Sequence, residues 1–586
     1  MRLTMRSSAL SLLCGLSAIH STAGVSIPRN QQESYKSTGK HGAVASEVAV
    51  CSESGVEMLK MGGTAADAII ATALCVGTIA AYHSGIGGGG FMIVRSQNSS
   101  EHSYEMIDFR ETMPGLGNET MYVDSNDTTA STVGGLAVGT PGEMRGWEML
   151  HNRHGKLPWA TLFQPAIKLA GEGFKVTVDL AAALSNTSYP FLTTDSRWAE
   201  IYAPNGSLLL ENDTCYRKDY AKTLSTIAEQ GPDAFYTGPI AENVTAAAQA
   251  RGGILQMSDL ANYSAILRTP SNITYRDRYR IFSTIAPSSG SVVLSALKIF
   301  EGYSGGAEPD DPAINLTTHR LIEGTKFAYG QRTTFGDPAF TANVSELEQY
   351  YLQESTAAAV RAKISDNTTF AVEYYDPENY ISLNDSGTSH MAAVDQWGNA
   401  VSLTTTVNFY WGSQVMTADG IILNDEMDDF SSPGQTNGFG FTASPINYIK
   451  PFKRPQSSIS SSIAEDLHTG ELVMATGSAG GSRIITATLQ NLHHHLDQHM
   501  TAYESVHQSR WHDQLSGTTY FEIAAPNLGI AGFSNATVAY LESMGYNVTY
   551  EDESGSTSHV IVKHLDTGLF EAANDPRKAA GAGVAY

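Results

Sequence analysis

The chain has 586 residues, with 36 Lys and Arg against 60 Asp and Glu, for a net charge of −24. Hydrophobic residues make up 42% and charged residues 16%, the profile of a folded chain long enough to bury a large core, which excludes wholesale disorder. So negative a chain, without a Lys/Arg-rich stripe, argues against nucleic acid as a partner, and beyond the N-terminus no charge-free apolar run reaches the roughly 18–20 residues that span a bilayer.

At the N-terminus, Arg2 and Arg6 precede an apolar stretch from Ala9 to Ile19, followed by Ser21, Thr22, Ala23 and Gly24. Charge, short apolar core and small residues in that order read as a secretory signal peptide, residues 1–23. A buried helix or an uncleaved signal anchor are the alternatives, though the run is short for a permanent span. About fifteen Asn-x-Ser/Thr sequons, among them Asn98, Asn186, Asn243 and Asn535, point with it to a secreted or vacuole-type glycoprotein, a membrane-anchored form being the lesser expectation. Cys14 would leave with the signal peptide, so Cys51, Cys75 and Cys215 remain and one intramolecular pair can form.

From Ser46 to Ala81 the chain is rich in Ala, Leu, Met, Val and Ile, which predicts two packed helices broken at Gly62-Gly63. The glycine-rich segment Ser84 to Gly90 leads into a strand-like run, Phe91 to Arg95. Helical patterns recur at Pro158 to Glu172, Tyr220 to Glu229 and Val292 to Glu301. From Met391 the texture changes: Met391 to Val394 and Ala400 to Val407 are predicted strands joined by a turn at Asp395 to Asn399. A strand at Leu472 to Ala475 enters a small-residue turn, Gly477 to Gly481, and then a helix from Ile484 to Leu496. Helices, strands and helices again imply sheets covered by helices on both sides, an α/β class in the layer sense. The pattern does not say how the strands connect.

Three apparent motifs fail on context. Gly85-x-Gly87-x-x-Gly90, with Asp108 downstream, has the letters of a dinucleotide fingerprint, but that fingerprint needs a strand before the glycines and a helix after them. Here the order is reversed, and the plain reading is backbone in close approach to another segment or to a substrate. Gly302-Tyr303-Ser304-Gly305-Gly306 imitates a serine-hydrolase elbow, yet a helical pattern precedes it and the proline-broken Glu308 to Pro312 follows. His495 and His499, in the cluster with His493 and His494, have the spacing of helical zinc ligands, but Leu496 stands where a zinc protease has glutamate. A solvated helix face is expected there, and no metal is assigned.

What remains is a series of polar clusters in order: Asp385-Ser386-Gly387-Thr388-Ser389-His390, Thr404 to Asn408, Asn424 to Phe430, Pro455-Gln456-Ser457-Ser458, and Gly477 to Gly481. With these the chain resembles the γ-glutamyltranspeptidases (glutathione hydrolases) of the N-terminal nucleophile hydrolase superfamily, from about Gly42 to Tyr586. The anchors are Gly85-Ile86-Gly87-Gly88-Gly89, Asp108-Phe109-Arg110-Glu111-Thr112, Gly387-Thr388-Ser389-His390, Met427-Asp428-Asp429-Phe430-Ser431 and Gly480-Gly481. The resemblance implies a four-layer αββα sandwich formed jointly by two subunits cut from one precursor, residues 24–387 and 388–586, as a heterodimer. Cys51 and Cys75 fall where animal-type members carry a disulfide, leaving Cys215 unpaired.

A threonine hydroxyl needs a base to take its proton, and an N-terminal α-amine, with a pKa of about 7.7–8.0, can be that base. Thr388 is internal as synthesised, so the resemblance implies self-cleavage between Gly387 and Thr388 by an N-to-O acyl shift. Gly387 suits the strained backbone that such an attack needs. By the same resemblance Thr406 donates a hydrogen bond to the Thr388 hydroxyl, and the N–H groups of Gly480 and Gly481 form the oxyanion hole. Arg110, assisted by Ser457 and Ser458, takes the α-carboxylate of a γ-glutamyl group, while Asn408, Glu426 and Asp429 take its α-ammonium. The implied substrates are glutathione and other γ-glutamyl compounds, with water or an amino acid or dipeptide as acceptor and no cofactor. The alternatives are a cephalosporin-acylase-like amidase of the same superfamily, or an inactive processed glycoprotein serving as a binding module.

Overall fold

The structure, a computed structural model, describes residues 36–98, 101–123, 125, 127–303, 313–380, 387–436, 442–552 and 555–586. The segment read as a signal peptide lies outside the described residues, as do Ser304 to Pro312 and Asp385-Ser386.

Two seven-stranded sheets organise the chain. One runs in the order Ala582–Ala585, Gly42–Ser46, Ser389–Asp395, Ala400–Thr406, Gly89–Asn98, Glu101–Asp108, Ile266–Arg268. The other runs Lys36–Gly39, Leu569–Asn574, Thr557–His564, Leu472–Ala479, Ser462–Asp466, Tyr279–Ser283, Ser271–Tyr275. Neighbouring strands in both are antiparallel. The central strands Ser389–Asp395 and Ala400–Thr406 are buried along their length, and alternate residues serve two layers. Met391, Ala393, Val401 and Leu403 join the core beneath the helices Ala49–Lys60 and Ala65–Ile79. Ala392, Val394 and Ala400 face the other sheet, where they meet Ile463, Ala475, Ile561 and Ala572. The many alanines at this seam leave the two sheets free to stack closely. Helices Gly290–Glu301, Ile314–Arg332 and Arg483–Leu496 cover the second sheet's outer face. The layers are therefore helix, sheet, sheet, helix: helices lie on one face of each sheet, and the other faces meet.

The helical pair expected around Gly62-Gly63 is present, its second member opened by a capping box between Thr64 and Asp67. A disulfide joins Cys51 to Cys75, and Cys215 is free and buried. Two expectations are corrected. The strand from Leu472 continues to Ala479, because Gly477, Ser478 and Ala479 pair with His559, Ser558 and Thr557, so the turn shrinks to Gly480-Gly481. The histidine cluster is not a solvated face: His493 is buried and bonds Asp497 at 2.8 Å, and His495 bonds the Met500 carbonyl at 2.7 Å. Both sheets draw strands from before and after Gly387, so a cut there would leave neither portion with a whole sheet.

Candidate active site

Thr388 immediately precedes a central strand. Extending the ladder in which Ser389 faces Thr405 would set Thr388 opposite Thr406. The ladder stops short, however, because Gly387 and Thr388 both have positive φ, 102° and 96°, a region that β-branched residues avoid. Glycine is needed at 387, since a Cβ there would stand 1.5 Å from the Asn408 carbonyl oxygen. The kink has a second consequence. The Thr406 hydroxyl accepts from the Asn408 N–H at 2.7 Å and, among the described residues of the uncut chain, makes no hydrogen bond to Thr388; the expected bond belongs to the cut enzyme. The glycine-rich run presses on the same strand: a Cβ on Gly88 would stand 1.9 Å from the Thr406 carbonyl oxygen. Close backbone approach, and not phosphate binding, explains those glycines. Asp108 likewise is structural, paired with Arg268 at 2.8 Å and Arg454 at 3.0 Å.

Gly480 and Gly481 link the strand Leu472–Ala479 to the helix Arg483–Leu496. The Gly480 N–H donates to the Gly387 carbonyl oxygen at 3.2 Å. No such bond from Gly481 is found among the described residues. The carbonyl that self-cleavage would attack thus sits on one backbone donor, near the electropositive end of a helix.

Arg110 follows the strand Glu101–Asp108 and is 1% exposed. Its fork donates to Glu426 and Asp429, which a short 3-10 turn, Glu426–Asp429, presents together. Nη2 also donates to the Gln456 carbonyl at 3.0 Å. The groups expected to take opposite charges of one substrate therefore pair with each other in the uncut chain. Burial opposes the charge on Arg110, but Glu426, Asp429 and Glu111 outweigh it and hold its pKa above the ordinary value. Burial pushes the Glu111 carboxyl up to about 8 against the pull of Arg110. It raises Glu143 well above the carboxylate range as well, reinforced by Glu111 and Glu426. Asn408 connects this cluster to Gly387, its side chain donating to the Asp425 carbonyl at 3.1 Å.

Ser457 and Ser458 are buried beside the cluster. Among the described residues neither hydroxyl bonds Arg110, which reaches the neighbouring Pro455 and Gln456 carbonyls instead. The Ser457 hydroxyl accepts from the Ile459 N–H at 3.2 Å, and the Ser458 hydroxyl accepts from Arg332 at 3.0 Å. Arg332 has no motif around it, so no local pattern marks it in the sequence.

A cavity of about 520 Å³ borders Gly387 and Thr388, with His83, Asp179, Tyr410, Gly480 and Lys578 in its walls. None of Arg110, Asn408, Glu426, Asp429, Ser457 or Ser458 lines it. Behind it Glu47 accepts from the Ser389 hydroxyl at 2.5 Å and pairs with His83 at 2.9 Å and Lys578 at 3.3 Å. Burial works against the charge on Glu47, yet His83 and Lys578 hold its pKa far below the ordinary value. This network was also missed, because nothing in the local sequence links residues so far apart along the chain. Among the described residues no group of three or more His, Cys, Asp or Glu side chains is arranged to hold a metal ion.

A family profile described as Gamma-glutamyltranspeptidase matches residues 51–585. A relative named glutathione hydrolase proenzyme, from Arthroderma benhamiae, is 43% identical over 99% of this chain and 100% of its own length. Among solved structures, a cephalosporin acylase from Bacillus halodurans superposes with a TM-score of 0.79 at 23% identity, covering 94% of this chain and 97% of that one. Helicobacter pylori gamma-glutamyltranspeptidase superposes with a TM-score of 0.51 at 29% identity, covering 55% of this chain and 92% of that one.

Proposed function

Since the chain belongs to the γ-glutamyltranspeptidase family, we propose that it is a glutathione hydrolase and γ-glutamyltransferase that cuts itself before Thr388 and then uses Thr388 as its nucleophile. The observation that carries this reading is the seat of the Gly387 carbonyl on the Gly480 N–H at 3.2 Å, next to a threonine held in positive-φ backbone. The Thr388 hydroxyl attacks the Gly387 carbonyl carbon, and the oxyanion develops against Gly480. The Gly387–Thr388 C–N bond then breaks as the nitrogen takes the hydroxyl's proton. Water hydrolyses the resulting ester, giving a Gly387 carboxylate and a Thr388 with free hydroxyl and free α-amine. That amine becomes the base, and release from the kink lets Thr388 approach Thr406 as the ladder register suggests.

In turnover the hydroxyl attacks the γ-glutamyl amide, the amine leaves, and a γ-glutamyl ester remains for water or an amino acid or dipeptide acceptor to resolve. The arrangement around Arg110 suits a zwitterionic head group. The α-carboxylate takes the guanidinium and the α-ammonium takes Glu426, Asp429 and Asn408, so each buried charge trades one partner for another. An acyl group without an α-amine would strand two buried carboxylates; this disfavours the acylase-like reading, and the likeness to cephalosporin acylase at 23% identity concerns the fold alone. The processed protein is proposed as a heterodimer of residues 24–387 and 388–586, delivered by a signal peptide at 1–23 to the secretory pathway and glycosylated there. No helix among the described residues is long and apolar enough to cross a membrane.

The test is N-terminal sequencing of any small fragment together with a chromogenic γ-glutamyl anilide assay. The fragment should begin at Thr388, and Thr388→Ala should stay uncut and inactive. Cleavage and turnover by Thr388→Ala would overturn the nucleophile assignment, and a normally processed protein without γ-glutamyl activity would favour the binding-module alternative.

A further inference from the structure

We propose that Arg332 is a positioning residue of the α-carboxylate subsite, acting through Ser457 and Ser458 and supplying its unbalanced positive charge. The proposal rests on the γ-glutamyl reading above. Arg332 ends the helix Ile314–Arg332 and is 2% exposed. Its Nη2 donates to the Ser458 hydroxyl at 3.0 Å and its Nε to the Ser289 hydroxyl at 3.0 Å. Ser289 in turn donates to the Ser457 carbonyl at 2.6 Å, and its own N–H donates to the Ile459 carbonyl at 2.8 Å. One guanidinium therefore holds both serines, one directly and one through a relay.

Charge balance makes this more than a brace. Arg110 is matched by two carboxylates, Glu426 and Asp429, so its immediate surroundings are anionic before a substrate's carboxylate arrives. Arg332 has the opposite imbalance: among the described residues no carboxylate forms an ion pair with it, and its side-chain partners are hydroxyls. Burying an unpaired guanidinium is costly, and an anion nearby would offset that cost. The guanidinium also fixes direction. It can only donate, so the Ser458 oxygen receives from Arg332 and its own hydrogen is committed to an acceptor. A serine polarised in this way is a stronger donor to a carboxylate than one bonded to neutral groups.

The experiment uses the processed two-chain enzyme carrying Arg332→Gln or Arg332→Lys, and compares binding of L-glutamate with that of 4-aminobutyrate, which is glutamate without its α-carboxylate. Wild type should bind glutamate more tightly; if it shows no such preference, the γ-glutamyl reading itself fails. With that preference in place, Arg332→Gln should weaken glutamate and raise KM for a γ-glutamyl anilide by about ten- to a hundredfold. Its kcat and its affinity for 4-aminobutyrate should stay near wild type, and Arg332→Lys should recover part of the loss. An unchanged KM, or equal weakening of glutamate and 4-aminobutyrate, would overturn the proposal and leave Arg332 as a loop brace. Should Arg332→Gln remain uncut, Arg332→Lys and Ser289→Ala carry the same comparison. Both must weaken glutamate selectively, and if either does not, the proposal falls.

Discussion

Replacing Gly480 by alanine strikes the contact that the proposed mechanism uses in both self-cleavage and turnover. Gly480 has φ 115°, and a Cβ there would stand 2.0 Å from the Gly555 carbonyl oxygen. Backbone cannot yield to that overlap without moving the turn, and the N–H that holds the Gly387 oxygen at 3.2 Å moves with it. Losing one oxyanion donor costs about 2.7–4 kcal/mol, roughly a hundred- to a thousandfold in rate. Conversion of precursor to two chains, followed on denaturing gels, should slow by that factor. Once cut, the variant should show a similar fall in kcat on a γ-glutamyl anilide, with KM less affected, because in the proposed mechanism Gly480 serves the reacting carbonyl and not the groups around the α-carbon. Retention of the Cys51–Cys75 bond and a cooperative melt would separate this effect from misfolding. A folded Gly480→Ala that cleaves and turns over at wild-type rates would refute the reasoning.

Three other outcomes are expected. Arg110→Lys keeps the charge but not the fork, so kcat/KM for the γ-glutamyl anilide should fall about ten- to over a hundredfold while self-cleavage continues; an equal loss on a substrate lacking the α-carboxylate would count against the assignment. Glu111, raised to about 8 in the fold from 4.5, binds more proton folded than unfolded between those values. It therefore subtracts stability as pH rises from about 4.5 through 8, and thermal melts of Glu111→Gln should fall less steeply across that window than those of wild type. Burial pushes the Cys215 thiol up to about 12, so iodoacetamide at neutral pH should spare it in the native protein and label it after unfolding without reductant; rapid native labelling would show that the site is open.

The position of Gly387-Thr388 at the head of a strand is legible because the signal is local. Gly387-Thr388 stands directly before a run whose alternate residues must fill two cores, and Met391, Ala393, Ala392 and Val394 announce that run whatever lies around it. The two helices before the glycine-rich segment were equally legible from their apolar content and the Gly62-Gly63 break. The turn was misjudged for a tertiary reason: Gly477 is small because the His390 ring lies against it, with a Cβ contact that would be 2.5 Å, and composition alone reads small residues as a turn. The antiparallel order of the sheets and the seat of Gly387 on Gly480 join segments far apart in sequence. So do the hold of Arg332 on Ser458 and the pairing of Glu47 with His83 and Lys578. An isolated arginine, serine or histidine carries no periodicity, and which of them meet is set by stacking two sheets at an alanine-lined seam. The sequence alone therefore determined the local elements and that Gly387-Thr388 stands at the head of a central strand, while what closes around that pair was decided by the packing of layers.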